Sequence, residues 1–193
     1  PAADPDRLLI VEASPHFPRT RGHDHTYPHR LHVDEVDVIC HSDRMPVELS
    51  DPAVGDIERA IAGYASAFVP DGATLQTGFG SIPSTIATLL AEGPGGDYGV
   101  HSEMFTTGLM QLHRAGKVTN AHKGQFDGVS VTTFAAGTAE LYEWLDENHE
   151  VAFLPVDIVN APEVIARNRE MITVNGALAV DLHGQVVADT IGG

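Results

Sequence analysis

ATLQTGFGSIPSTIATLLAEG, residues 73–93, decides the fold. ATLQT (73–77) reads as a strand, Gly78 to Ile82 as a glycine-rich loop, and the rest as a helix. Pro83 sits near the first turn of that helix and Gly93 stops it. A strand that feeds a helix through a short glycine loop is the first part of a βαβ unit, and the pattern continues downstream. YGVHS (98–102) reads as the next strand, with a helix over about 105–115. VSVTTFA (129–135) with helix 138–147 and VAFLP (151–155) with helix 162–169 continue it. MITVN, ALAVDL and QVVADT, within 171–190, read as short strands around turns at Gly176 and His183-Gly184. Upstream, Ile57, Ala60, Ile61, Tyr64, Ala65 and Phe68 recur at helical spacing and stop before Pro70. This alternation predicts an α/β fold, an open and mostly parallel sheet with flanking helices.

Before residue 55 the pattern is less regular. LLIVEA (8–13) reads as a buried strand, Ser14 to Arg30 as a loop rich in Pro, His and Arg, and LHV with VDVIC (31–40) as a second strand. HSDRMPVELSDPAVG (41–55) carries Met45-Pro46 and Asp51-Pro52 steps that disfavour helix, so it reads as a linker or crossover. The chain starts in mid-pattern and stops at Ile191-Gly192-Gly193, which suggests a piece of a longer protein.

The 193 residues carry 27 Asp and Glu against 11 Lys and Arg, a formal charge of −16. That balance argues against nucleic acid and anionic membranes as partners, because phosphate binding needs a clustered basic surface. No apolar run approaches the roughly 20 residues a membrane helix needs. The single Cys40 cannot form an internal disulfide, which fits a reducing cytoplasm, and as the last residue of VDVIC it reads as a small buried hydrophobe.

If 73–77 and 98–102 are neighbouring parallel strands, both end on the same edge of the sheet. The loops Gly78–Ile82 and Ser102–Phe105 then face each other across about 5–10 Å, at the edge where open α/β sheets take ligands. Taken alone, the glycine loop is either a tight strand-to-helix turn or a close backbone approach to a phosphate or acyl oxygen. It departs from a dinucleotide fingerprint, with Pro83 where a third glycine belongs. Glu103 likewise has two readings, a solvated loop residue or a nucleophile. A carboxylate with an ordinary pKa near ~4.3 is ionised at neutral pH and needs no partnered base. It suits acyl exchange between carboxylates, which proceeds through a mixed anhydride.

Several motifs together are more specific. VEASPHFPRTRG (11–22), LHVDEVD (31–37), DGATLQTGFGSIP (71–83), GVHSEMFTTGL (99–109), AAGTAELYEWLDEN (135–148), PVDIVNAPEVIARN (155–168) and VNGALAVDLHGQVVADTIG (174–192) run in order along nearly the whole chain. In these motifs the chain resembles the acetyl-CoA hydrolase/transferase family, particularly its 4-hydroxybutyrate and butyryl-CoA:acetate CoA-transferase branch. The resemblance implies that Glu103 is the acyl-accepting carboxylate and that Gly78, Phe79, Gly80, Ser81 and Ile82 form the CoA-binding loop. It also implies that Asn160 orders the pocket through its amide. Residues 1–50 would be the end of an N-terminal CoA-transferase domain plus linker, and 51–193 a C-terminal domain incomplete at its end. A further glycine-rich loop, which supplies an oxyanion-hole N–H in the family, would follow ADTIG. Losing one such donor costs a factor of about 100–1,000 in rate, so the 193 residues alone are expected to be weakly active or inactive. Acyl-CoA and a carboxylate are the implied small-molecule partners. No permanently bound cofactor is implied, and family habit suggests a homodimer or higher homo-oligomer.

Three rivals stand beside CoA transfer: acyl-CoA hydrolysis with water resolving the intermediate, a non-catalytic CoA-binding or oligomerisation module, and a nicotinamide-binding domain. Remaining candidates read blandly. The histidines around HDHTYPHR (23–30) fit no common zinc spacing and read as a solvated loop, with no metal expected. Arg19 and Arg21 either meet CoA phosphates or are ordinary surface arginines. His101 either shapes the pocket or is satisfied by backbone at a strand end.

Overall fold

The computed structural model describes residues 6–50 and 53–188. Its centre is a five-stranded sheet built from β3 (Thr74–Thr77), β4 (Gly99–Phe105), β5 (Ser130–Ala135), β6 (Val151–Phe153) and β7 (Met171–Val174). The order is β6-β5-β4-β3-β7, and every neighbouring pair is parallel. Helices α1 (Asp56–Ser66), α2 (Ser81–Glu92), α3 (Thr107–Arg114) and α4 (Ala139–Leu145) precede or link the first four strands. Two short helices, α5 (Val156–Val159) and α6 (Pro162–Ile165), carry the chain to β7. β4 to β6 step away from β3 on one side and β7 lies on the other. The strand order therefore reverses at β3, and a crevice is expected where β3 and β7 end.

The core packs helices on the sheet. Leu75, Val100, Phe105, Ile86, Leu109, Leu112, Leu141 and Leu145 are buried in one cluster. Phe105 stacks on Trp144 with ring centroids 5.7 Å apart. A Cβ on Gly108 would stand 2.9 Å from that of Ala87, so α3 approaches α2 as closely as only glycine allows.

The N-terminal segment lies on this body rather than apart from it. β1 (Ile10–Ala13) and β2 (Val38–His41) form their own parallel pair. Between and after them, Phe153 N–H donates to the Arg21 carbonyl (2.7 Å), Leu49 N–H to the Gly137 carbonyl (2.8 Å), and the Tyr142 hydroxyl to the Val47 carbonyl (2.7 Å).

Five expectations are corrected. The strand expected over 8–13 starts at Ile10 and is not buried, with Leu8 and Ile10 both exposed. Cys40 is exposed, because the β1–β2 pair has no packed layer over β2, whose four residues are all exposed. The second strand starts at Val38. Val33–Glu35 instead forms a helical turn, with His32 accepting from Asp34 N–H and Glu35 from His32 N–H. The helix expected over 162–169 starts at Pro162 but stops at Ile165, where Asn168 Nδ2 turns back to donate to the Val164 (3.1 Å) and Ile165 (3.3 Å) carbonyls and the chain goes on in turns. Finally, α1 forms, but Ile57, Ile61, Tyr64 and Phe68 are exposed and only Ala62 is buried. The expected domain boundary at 50/51 and the end of the second domain at 189–193 touch residues outside those described. β8 (Ala179–Val180) and β9 (Val186–Val187) form a small antiparallel hairpin. No helix is long and apolar enough to cross a membrane among the described residues.

Candidate active site

Glu103 lies inside β4, not in a loop beyond it: the strand continues to Phe105, and Thr106 caps α3 by accepting from Leu109 N–H. The apolar residues Met104 and Phe105 keep the strand going past the carboxylate. Gly99 to Ser102 are buried and Glu103 is exposed. No hydrogen bond or ion pair engages its side chain among the described residues, so the carboxyl group faces outward from a strand rooted in the core.

Two hydroxyls account for this exposure. Ser102 Oγ donates to the Met104 carbonyl (2.7 Å), and Thr132 Oγ1, its register partner on β5, donates to the Phe134 carbonyl (3.0 Å). Two residues of straight strand rise ~6.6 Å, so each contact requires a bend, at Glu103 in β4 and at Thr133 in β5. Each hydroxyl shares its one proton with a second carbonyl, Thr132 Oγ1 with that of Glu103 (2.9 Å) and Ser102 Oγ with that of Thr77 (3.4 Å). The latter contact joins the residue before Glu103 to the residue before Gly78. The glycine loop and the carboxylate therefore stand side by side, as the strand order requires.

β3 and β4 pair only at Thr74–Gly99 and Leu75–Val100, so they part towards their carboxyl ends. Gly78 N–H turns instead to the Val174 carbonyl of β7 (2.8 Å). A Cβ on Gly78 would lie 2.8 Å from Asn175 Oδ1. Gly80 caps α2 at φ 131°, a backbone that favours glycine, and no side chain caps the helix. Ser81 and Ile82 thus have N–H groups without intrahelical partners, while Pro83 has none to offer. Phe79 is 43% exposed at the loop's tip. Gln76 and Asn175 join the two sides through paired side-chain amides, at 3.0 and 2.9 Å.

His101 is buried two residues before Glu103, and its Nε2 meets the Val159 carbonyl at 2.8 Å. Burial first, and Lys123 to a lesser degree, hold its pKa below the usual value against the opposing pull of that carbonyl. His101 is therefore neutral at pH 7, donating through Nε2–H, with a buried Nδ1 that has no partner. Val159 ends α5 and precedes Asn160, an exposed residue, so this bond ties the helix end before the asparagine to β4, alongside the packing of Val159 on Val131 and Leu154. Lys123 is fully buried, donates to the Phe126 (3.3 Å) and Val129 (2.7 Å) carbonyls, and is pushed down to about 7 by burial.

Arg19 does not point to a ligand, because it is held by Asp146 (2.7 Å) and Glu147 (3.3 Å). His29 pairs with Thr20 and His23 packs on Phe126. No group of three His, Cys, Asp or Glu able to hold a metal occurs among the described residues. The glycine loop and Glu103 come together, and helix α5, which precedes Asn160, meets β4 through His101. The bend-forming hydroxyls, Lys123 and the Gln76–Asn175 pair were not foreseen. Ser102, Thr132 and Thr133, hydroxyls inside apolar strands, were the available signal. Lys123 in AHKGQFDG gave none.

Residues 137–193 match the acetyl-CoA hydrolase/transferase C-terminal domain. The whole chain is 38% identical over 192 residues to the 4-hydroxybutyrate coenzyme A transferase of Clostridium kluyveri, covering 43% of that protein. It is 38% identical over 186 residues to the succinyl-CoA:cyclohexane-1-carboxylate CoA transferase of Geobacter metallireducens, covering 96% of this chain and 41% of that one. Among solved structures, RipA from Yersinia pestis matches 95% of this chain and 41% of its own at TM-score 0.89 and 34% identity. The 4-hydroxybutyrate CoA-transferase from Porphyromonas gingivalis matches at TM-score 0.83 and 30% identity, over 93% of this chain and 44% of that one. The chain thus spans about two fifths of the length of the relatives it matches.

Proposed function

The chain belongs to the acetyl-CoA hydrolase/transferase family, and on that premise we propose that it carries the nucleophile of a CoA-transferase, Glu103, acting between a short-chain acyl-CoA and a carboxylate. The observation that carries this reading is the unpaired carboxylate raised from a buried strand beside a glycine loop, at the edge where the strand order reverses.

The chemistry then needs no added acid or base. A Glu103 oxygen attacks the thioester carbonyl carbon, the C–S bond breaks, and CoA leaves as thiolate with an acyl-glutamyl anhydride behind it. The thiolate attacks the glutamyl carbonyl, which forms a glutamyl-CoA thioester and releases the first acid as its carboxylate. A second carboxylate repeats the two steps in reverse, giving a new acyl-CoA and free Glu103, a ping-pong sequence. The loop Gly78–Ile82 would hold CoA through its backbone N–H groups, and Asn160 would order the pocket with its amide. Residues 51–193 would belong to a C-terminal domain, with 1–50 the end of an N-terminal one.

Hydrolysis is the second reading, favoured by the exposure of Glu103, since water reaching the anhydride or thioester would end the cycle. The test is CoA release from acetyl-CoA or butyryl-CoA with and without a second acid. A transferase makes new acyl-CoA only when the acid is present. Steady CoA release without it selects hydrolysis, and full exchange by Glu103→Ala rejects Glu103 as nucleophile.

A further inference from the structure

Along β5 and β6 lie two adjoining cavities of about 500 and 340 Å³, sharing Thr133, His29 and Phe153 in their walls. Their size is in the range of small-molecule sites. No Asp, Glu, Lys or Arg lines either one among the described residues. Several polar groups in the walls are occupied: Thr20 Oγ1 meets His29 Nε2 at 3.0 Å, and the Tyr142 hydroxyl donates to the Val47 carbonyl. Burial keeps His29 below its ordinary pKa, so it brings no charge at pH 7.

Thr133 differs from these, because its Oγ1 is buried with no hydrogen-bond partner. The register pairs Ser102 with Thr132 and Met104 with Phe134, which sets Thr133 opposite Glu103, one strand spacing of ~4.8 Å away. Buried hydroxyls are ordinarily paired, so this one marks a place where a ligand atom belongs.

We propose that these cavities are the acyl subsite, that they take an uncharged short acyl chain, and that Thr133 Oγ1 donates to the thioester carbonyl presented to Glu103. This rests on the reading of Glu103 as the nucleophile. A chain ending in a second carboxylate, such as succinyl, would enter an apolar pocket with no cation to meet it, which is strongly unfavourable. The site therefore selects butyryl over succinyl, a preference that the names of its relatives do not decide.

The test compares kcat/KM for butyryl-CoA and succinyl-CoA with acetate as acceptor, in the wild type, Thr133→Val and Phe134→Arg. The wild type is expected to favour butyryl-CoA at least ~100-fold. Phe134→Arg, which brings a cation to the wall, is expected to shrink that ratio at least ~10-fold. Thr133→Val removes an unpaired buried hydroxyl, so its Tm holds or rises while kcat/KM for butyryl-CoA falls ~10-fold. A structural hydroxyl would not separate the two readouts in that direction. Equal use of both substrates, or unchanged kcat/KM in Thr133→Val, overturns the subsite. If CoA still attaches to Glu103 in that case, the nucleophile reading survives. If CoA attaches from neither substrate, both readings fail together.

Discussion

The side-chain amides of Gln76 and Asn175 exchange two hydrogen bonds, 3.0 and 2.9 Å long, across the seam where β3 meets β7. That pair closes the sheet directly below the glycine loop, and Asn175 Oδ1 occupies the space that a Gly78 side chain would need. Gln76→Leu should free the loop at modest cost, about 1 kcal/mol of stability, and lower kcat/KM for acyl-CoA by ~10-fold. Gly78→Ala pushes on the same amide and should show the same pattern, activity lost before Tm. Chemical denaturation beside initial-rate kinetics would check both variants.

His101 offers a test of how Asn160 is placed. His101→Phe keeps an aromatic ring but leaves the Val159 carbonyl without its donor. It should cost about 1–3 kcal/mol and lower kcat more than it raises KM, because the asparagine drifts from Glu103. Thermal melts and steady-state kinetics on one preparation would separate the two effects.

A glycine next to a buried ammonium gives a pure packing prediction. A Cβ at Gly99 would fall on the Lys123 stem, near Cγ and 2.9 Å from Cδ. Lys123 cannot swing aside, since its Nζ is fixed by the Phe126 and Val129 carbonyls. Gly99→Ala should therefore lose about 1–3 kcal/mol. In a double-mutant cycle with Lys123→Ala the combined loss should be smaller than the sum.

His113 sets an acid limit. Burial pushes its pKa down to about 4. Its Nε2 meets Ser130 Oγ at 2.8 Å, and Glu150, 3.8 Å from Nδ1, is too far to keep the ring charged. The unfolded chain takes up this proton near ~6.5 and the folded chain does not until about 4. Stability should thus fall as pH drops through that window, by on the order of 3 kcal/mol in all. His113→Gln should flatten the slope between pH 6.5 and 4 in urea titrations, and an unchanged slope would contradict this account.

Much of the sheet could be read beforehand because its strands are short apolar runs punctuated by glycine and proline. The pairing of β3 with β4 followed from that alternation, but the place of β7 on the far side of β3 did not. What periodicity could not reveal was which faces would be covered. Ile57, Ile61, Tyr64 and Phe68 form a good helical stripe, yet they are exposed, and Cys40 ends an apolar run that nothing overlies. Glu103 was legible as a chemical candidate but misplaced into a loop. Its bend goes with the hydrogen bond from Ser102 to the Met104 carbonyl, as that of β5 goes with the bond from Thr132 to the Phe134 carbonyl, and such bonds leave no hydropathy signature. The Gln76–Asn175 pair joins residues 99 apart in sequence, a distance at which local pattern says nothing.

The central claim is that Glu103 becomes covalently joined to CoA. Incubation with butyryl-CoA, followed by proteolysis and mass spectrometry, should find CoA on the peptide that contains Glu103, and borohydride should convert that glutamyl thioester to the alcohol. The same treatment of Glu103→Gln should leave the peptide unmodified. Full acyl exchange with no CoA on that peptide, or CoA attached at another residue, would contradict the account.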